Sequence, residues 1–422
     1  MISQLINADA VPVDTDEKAD VIIINTCGFI EDAKKEAISE ILNAVETGKK
    51  VIVAGCLAQR YKEEILLNIP EADAVVGIFD TDKITDAVYE AINGKKSTWY
   101  DSKKLAPSCT TPRTLTTPFY YSYLKIADGC SNGCSYCTIP RIRGKFVSEP
   151  MEKVIEEAKW LSENSVTEIM VIAQDTSRYG LDLYGEKKLP ELLKKLDEIE
   201  YIKWIRLHYL YPEAITDELL LTIKNSKKIL PYFDIPIQHI NNRILSLMNR
   251  KTTKEEIISL INKIKKLMPE SIIRTSLISG FPSETEEEHN ELLEFVKEGY
   301  FDRLGVFPYS TEEGTKASKI KGKLTKKIKN ARAGEIMKAQ SEISLLKNKE
   351  KIGKIFEVLV EGYDTINDVY FGRTYMDSPD IDGTVYFKAN EKTDIGEYIN
   401  VKITDCDSYD LIGESVWQKK EN

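Results

Sequence analysis

Three cysteines stand close together in KIADGCSNGCSYCTIPR, residues 125–141: Cys130, Cys134 and Cys137, spaced C-x3-C-x2-C. Three thiolates on one short loop can hold three corners of an iron–sulfur cube and leave the fourth iron open to another ligand. A zinc knuckle is the competing reading. Structural zinc takes four nitrogen or sulfur ligands, commonly as two pairs. No fourth ligand is near in sequence, and the chain has only three histidines, His208, His239 and His289. The spacing therefore favours the cluster. Two more cysteines end apolar runs upstream, Cys27 after VIIINT and Cys56 after VIVAG. Open parallel sheets place their chemistry at such strand-to-helix junctions.

The rest of the chain must position these thiols. Its 422 residues exceed one hydrophobic core and suggest two to four domains. Forty-two per cent apolar and thirty per cent charged residues are ordinary for a globular protein. No apolar run is long enough to span a bilayer, and an odd, uneven set of seven cysteines is no secreted disulfide framework. A cytoplasmic location follows as the expectation. Residues 1–104 read as short α/β units, with strands at Val21–Asn25, Lys50–Ala54 and Ala74–Gly77 and helices at Glu31–Val45 and Tyr61–Asn68. Residues 105–118, rich in Pro and Thr, read as a linker.

Between 119 and 335, six strand candidates alternate with helices: Ser122–Ile126, Glu168–Ala173, Trp204–Tyr209, Tyr232–Ile237, Ile272–Ile278 and Arg303–Tyr309. That pattern predicts a parallel barrel or part-barrel with its site at the C-terminal strand ends. Ser283 and Glu286 have the spacing of a capping box. A Lys-rich stretch around 320–350 reads as a long exposed helix or a helical linker, assigned to 336–352. Residues 353–418 read as a small β-barrel. Over 354–418, fourteen Asp and Glu face five Lys and Arg, a net of −9 within a chain total of −10. Such a surface repels nucleic acid and attracts a basic protein.

C-x3-C-x2-C after the first strand of a βα barrel resembles the radical S-adenosylmethionine enzymes. An N-terminal α/β domain with strand-end cysteines and a terminal barrel of the TRAM type narrows the resemblance to their methylthiotransferases, over essentially the whole chain. The implied fold is a flavodoxin-like parallel sheet, truncated here, a radical S-adenosylmethionine partial barrel, and a TRAM barrel. The implied cofactors are S-adenosylmethionine and two 4Fe–4S clusters, one on Cys130, Cys134 and Cys137 and one that includes Cys27 and Cys56. In such enzymes one S-adenosylmethionine methylates a cluster-held sulfur. Another is cleaved to a radical that abstracts hydrogen from the substrate.

The segments AQDTSRYGLDLY (173–184), FDIPIQHINNRILSLMNR (233–250), RTSLISGFPSETEEE (274–288) and GRTYMDSPDIDG (372–383) resemble the branch acting on an aspartate β-carbon of ribosomal protein S-twelve. The sister branch acts on tRNA adenosine and usually carries Asn where Asp175 stands. By resemblance Tyr136 lies beside the adenine, Gln174 and Asp175 hold the cofactor amino group, Arg274 pairs with its carboxylate, and Gln238 with His239 reaches the ribose. The bland readings are packing for Tyr136, a helix cap or turn for Gln174 and Asp175, an ion pair for Arg274 and a satisfied core histidine for His239. No general acid–base dyad is implied. The implied partners are S-twelve in the small ribosomal subunit and a flavodoxin- or ferredoxin-type reductant, with no membrane and no direct nucleic acid. A non-enzymatic electron carrier or zinc protein is the alternative of a different class.

Two departures stand out. The GCxKNxxD stretch that carries the family's first N-terminal cysteine has no match here. Cys27 and Cys56 are then expected to hold a cube loosely, with about four irons bound rather than about eight unless Cys109 serves as a third ligand. Cys109 and Cys406 otherwise match no family ligand. Glu149 also stands where the family often has Arg.

Overall fold

The computed structural model describes residues 1–100, 113–389 and 391–416, so Cys109 and most of the expected linker lie outside the described residues. The chain divides into two compact units. The first is Met1–Thr116 with Ala127–Glu149 and Ser310–Lys319; the second is Thr117–Ile126 with Pro150–Tyr309 and Ile320–Asn422. The cysteine loop therefore groups with the N-terminal sheet.

In the first unit, β1 (Val21–Thr26), β2 (Lys50–Gly55), β3 (Ala74–Gly77) and β4 (Ser97–Trp99) form a parallel sheet in sequential order. β2 and β3 are continuous apolar runs because both faces are covered. Val51, Val53 and Val75 pack with Ala37 and Ile41 of helix Glu31–Glu46. Ile52, Ala54, Ala74 and Val76 pack with Ile84, Ala87 and Ala91 on the opposite face. The helix expected over Tyr61–Asn68 is instead two, Cys56–Tyr61 and Glu63–Asn68, broken at Lys62 with φ +43°. A left-handed residue interrupts the i to i−4 ladder while leaving the apolar spacing unaltered.

The second unit holds an open six-stranded parallel sheet, also in sequential order: β5 (Tyr121–Lys125), β6 (Glu168–Ile172), β7 (Trp204–Leu207), β8 (Ile229–Asp234), β9 (Ile272–Ser279) and β10 (Arg303–Pro308). This is the expected part-barrel. β8 starts and ends three residues earlier than the apolar pattern suggested, because Pro236 has no N–H for the ladder. The cap of helix Glu286–Lys297 is formed by Thr285 and Glu288, two residues beyond the expected pair. Ser283 has φ +67°, which is incompatible with the extended N-cap backbone, and its hydroxyl accepts from Arg243 at 3.2 Å. The Lys-rich helix, Lys326–Lys349, is no exposed linker: Ala333, Ile336, Ala339 and Ser344 are buried along one face.

β11 (Ile355–Asp364), β12 (Val369–Arg373), β13 (Val385–Lys388), β14 (Tyr398–Cys406) and β15 (Leu411–Ser415) close into a barrel in the order β11-β12-β13-β15-β14. It shares a core with the six-stranded sheet, where Tyr121, Met170, Trp204, Tyr232 and Ile272 meet Val358, Val360, Met376 and Phe387. Buried charges cross the same boundary. Glu168 of β6 accepts from Arg206 Nε at 2.9 Å and from Arg373 Nη2 at 2.7 Å. Arg303 Nη2 donates to Asp377 at 2.6 Å, and the Tyr232 hydroxyl donates to Asp382 at 2.6 Å. Burial alone would raise the Glu168 carboxyl, but Arg373 and Arg206 outweigh it and hold it below the usual range. GRTYMDSPDIDG is thus the segment that carries counter-charges to the sheet. Among the described residues no helix is long and apolar enough to cross a membrane.

Candidate metal centre

In the first unit, Cys130, Cys134 and Cys137 lie on a loop closed at its base by a two-residue ribbon, Ala127 opposite Ser148 and Asp128 opposite Val147. Gly129, Gly133 and Gly144, all at φ near +70°, let so short a loop turn back on itself. The Cys130 amide reaches Gly144 O at 3.2 Å, and the Cys137 amide reaches Cys134 O at 3.2 Å. Cys130 and Cys134 are buried and Cys137 is half-buried. Backbone amides already point at sulfur. Asn132 N donates to Cys130 Sγ at 3.5 Å and Ile139 N to Cys137 Sγ at 3.4 Å.

Burial, with Cys134 and Cys130 alongside, pushes the Cys137 thiol up to about 12 against the Ile139 amide. Such a thiol gives up its proton to a cation rather than to water. Among the described residues no three or more His, Cys, Asp or Glu side chains converge on one point as a single ion requires. A cube instead takes each thiolate at its own iron. Three thiolates on one loop, with no histidine near them in sequence, suit three corners of a cluster.

Cys27 and Cys56 lie at adjacent strand ends, because Thr26 of β1 is in register with Gly55 of β2. Cys27 is exposed, and Cys56 is half-buried as the first residue of its helix. The approach between them leaves no room for side chains. A Cβ on Gly28 would stand 2.9 Å from the Leu57 backbone, and one on Gly55, at φ +97°, 2.7 Å from Thr26 O. Arg60 donates to Gly28 O and to Glu312, both at 2.8 Å, and Lys34 donates to Glu312 at 2.9 Å. Between the two cysteine groups stands Arg143. Its Nη1 contacts Asp128 Oδ1 and Oδ2 at 3.1 and 3.2 Å, and its Nη2 donates to Cys56 Sγ at 3.3 Å. Sequence reasoning missed Arg143, Asp128 and Glu312. Only RIRG, a charge before a turn glycine, hinted at the first.

The remaining candidates divide by unit. Tyr136 is half-buried on the cysteine loop, and Glu149 is fully buried at its end. In the second unit Gln174 follows β6, with Oε1 buried and accepting no hydrogen bond. That orphaned acceptor suits an ammonium group. Asp175 is fully buried, accepts from Ser177 Oγ at 2.5 Å and pairs with Arg178 at 2.9 Å, which is turn duty. Gln238 has φ +71° and bridges to Leu277. His239 is fully buried, with Nδ1 accepting from the Asn241 amide at 3.0 Å and Nε2 3.6 Å from Glu284. Arg274 is held by Asp234 at 2.9 Å and Asp382 at 3.5 Å, which is the ion-pair reading. Cys406 ends β14, away from both cysteine groups in sequence.

The fold and this site define a class. Residues 124–296 match the model of the radical SAM superfamily, 352–416 that of the TRAM domain, and 1–77 that of the uncharacterized protein family UPF0004. Among solved structures, the radical S-adenosylmethionine methyltransferase TsrM of Kitasatospora setae shares the fold, with a TM-score of 0.51 at 12% identity, over 69% of this chain and 63% of that one. Closer similarity runs along nearly the whole sequence. The ribosomal protein uS12 methylthiotransferase RimO of Lachnoclostridium phytofermentans is 47% identical over 94% of this chain and 92% of its own. That of Caldanaerobacter subterraneus subsp. tengcongensis is 49% identical over 95% and 92%. The chain belongs to the RimO family of ribosomal protein uS12 methylthiotransferases.

Proposed function

We propose that this protein transfers a methylthio group to the β-carbon of an aspartate in ribosomal protein uS12. The observation that carries the reading is the desolvated C-x3-C-x2-C loop in a chain 47% identical to enzymes of that name over 94% of its length. When bound there, a 4Fe–4S cluster with S-adenosylmethionine supplies the hydrogen-abstracting radical, and a second cluster supplies the methylthio sulfur. Cys130, Cys134 and Cys137 hold the first cluster, while the Asn132 and Ile139 amides stabilise thiolate charge. Cys27 and Cys56 would supply two ligands of the second, which two thiolates alone hold loosely. Tyr136 packs by the cofactor's adenine, and Gln174 accepts from its ammonium through the orphaned Oε1. Asp175 and Gln238 shape the strand ends around it.

The basic substrate is drawn to the terminal barrel. Asp377 and Asp382 are already spent on Arg303 and Arg274 of the six-stranded sheet, but Glu391, Asp394, Glu397, Asp405 and Asp407 remain exposed. A flavodoxin- or ferredoxin-type protein is the electron source. The test is anaerobic incubation of reconstituted protein with dithionite, S-adenosylmethionine and a uS12 peptide. Cys130→Ala is expected to abolish both 5′-deoxyadenosine and the methylthiolated peptide, whereas Cys56→Ala abolishes only the latter. Modification of tRNA adenosine and not of the peptide would overturn the substrate, and absence of 5′-deoxyadenosine would overturn the class.

A further inference from the structure

We infer that Tyr209 is a substrate-recognition residue, its ring the seat for a lysine or arginine side chain in the loop that bears the acceptor aspartate. The inference rests on the substrate reading above. Tyr209 follows β7 at the C-terminal end of that strand, one strand along from Gln174 after β6. It has φ +59°, where a bulky side chain is rarely found. Three hydrogen bonds hold it there. Its amide donates to Asp234 Oδ2 at 3.1 Å, and its carbonyl accepts from the Thr176 amide at 3.2 Å and the Thr176 hydroxyl at 3.1 Å. Its chain neighbours His208 and Leu210 are buried, yet Tyr209 itself is 48% exposed. The ring lies 5.9 Å from that of His208, centroid to centroid. A backbone strained and clamped so as to hold an aromatic ring out at a strand end adds little to the core. Such outliers persist where they serve a site.

The surroundings select the ligand. Burial and Asp234 raise the Tyr209 phenol against Arg274, and burial, Asp380 and Tyr209 raise that of Tyr123 on β5. The ring thus stands among carboxylates from β8 and from the turn between β12 and β13, where Asp380 is exposed. Arg274 is already held by Asp234 and Asp382. A bound carboxylate would be repelled by these groups. A cation gains their field and the negative face of the ring together. A basic substrate carries such cations.

The test is a coupling measurement. A fluorescent uS12 peptide, and the same peptide with the basic residues flanking the aspartate replaced by glutamine, are titrated against the reconstituted protein, and Kd is read by anisotropy. Tyr209→Gly removes the ring and suits the left-handed backbone, while Tyr209→Phe keeps the ring. Thermal melting of each variant checks the fold. Tyr209→Gly is expected to weaken the basic peptide about fivefold and to leave the glutamine peptide unaffected, with Tyr209→Phe close to the parent on both. An equal effect of Tyr209→Gly on the two peptides, or none on either, overturns the role of Tyr209 and leaves the substrate reading standing. Methylthiolation of the basic peptide by the parent protein is followed alongside, and its absence overturns the substrate reading and this inference together.

Discussion

At the scale of the residue, two members of the proposed cofactor set behave differently. Gln174 presents a buried acceptor with nothing donating to it, so the folded state gains nothing from that oxygen. Gln174→Ala should raise KM for S-adenosylmethionine while leaving the melting temperature of the cofactor-free protein unchanged; calorimetry and steady-state kinetics on one preparation decide it. Arg274 is the reverse case. Its guanidinium answers Asp234 and Asp382, both buried. Arg274→Met removes the cation beside two buried carboxylates, which keep only their hydrogen bonds, and should cost about 3 kcal/mol, read as a lower urea midpoint with no cofactor present. The cysteine loop was legible because three thiols at fixed spacing have few alternatives. Arg274 was not, because its carboxylate partners lie 40 and 108 residues away along the chain, and nothing in one sequence pairs them.

At the scale of the element, parallel sheets were expected from the alternation of apolar runs and amphipathic stretches, and every expected strand of both exists. What the pattern missed was local backbone. Lys62 and Ser283 both adopt positive φ without being glycine. Each breaks a helix boundary that periodicity would have carried through. The true cap gives a direct check. Thr285→Ala removes the hydroxyl that accepts from the Glu288 amide at 3.3 Å and should cost about 1 kcal/mol. Ser283→Ala should cost less, since it loses only an exposed contact with Arg243. Equal losses in chemical denaturation would reject the assignment of the cap.

At the scale of the whole molecule, buried ion pairs govern the response to pH. Glu168, Asp234 and Glu284 are each raised by burial but lowered further by paired groups, Arg373 and Arg206, His208 with Arg274, and His239 with Arg332. Their folded-state values lie below the unfolded ones of about 4. The stability they contribute is therefore present above that value and lost as pH falls through the folded ones. Glu361, which burial raises despite Arg373, runs the other way and blunts the loss. Equilibrium unfolding followed from pH 7 to pH 3 should show stability constant near neutrality and falling below about pH 4. Association with a basic substrate should meanwhile slow as salt rises, because the exposed carboxylates of the terminal barrel act over about one Debye length, ~10 Å at 0.1 M. Stopped-flow binding at two ionic strengths measures it.

The shared core of sheet and terminal barrel also has a consequence in time. Synthesis runs from the N-terminus, and the strands bearing Arg274 and Arg303 are made before Asp382 and Asp377 exist. Until then Arg303 lacks its carboxylate, and the apolar ends at Trp204 and Tyr232 lack the barrel residues that cover them. The last seventy residues are therefore not an appendage added to a finished enzyme. A chain cut short of them is expected to leave Trp204 and Tyr232 uncovered and to melt at a lower temperature.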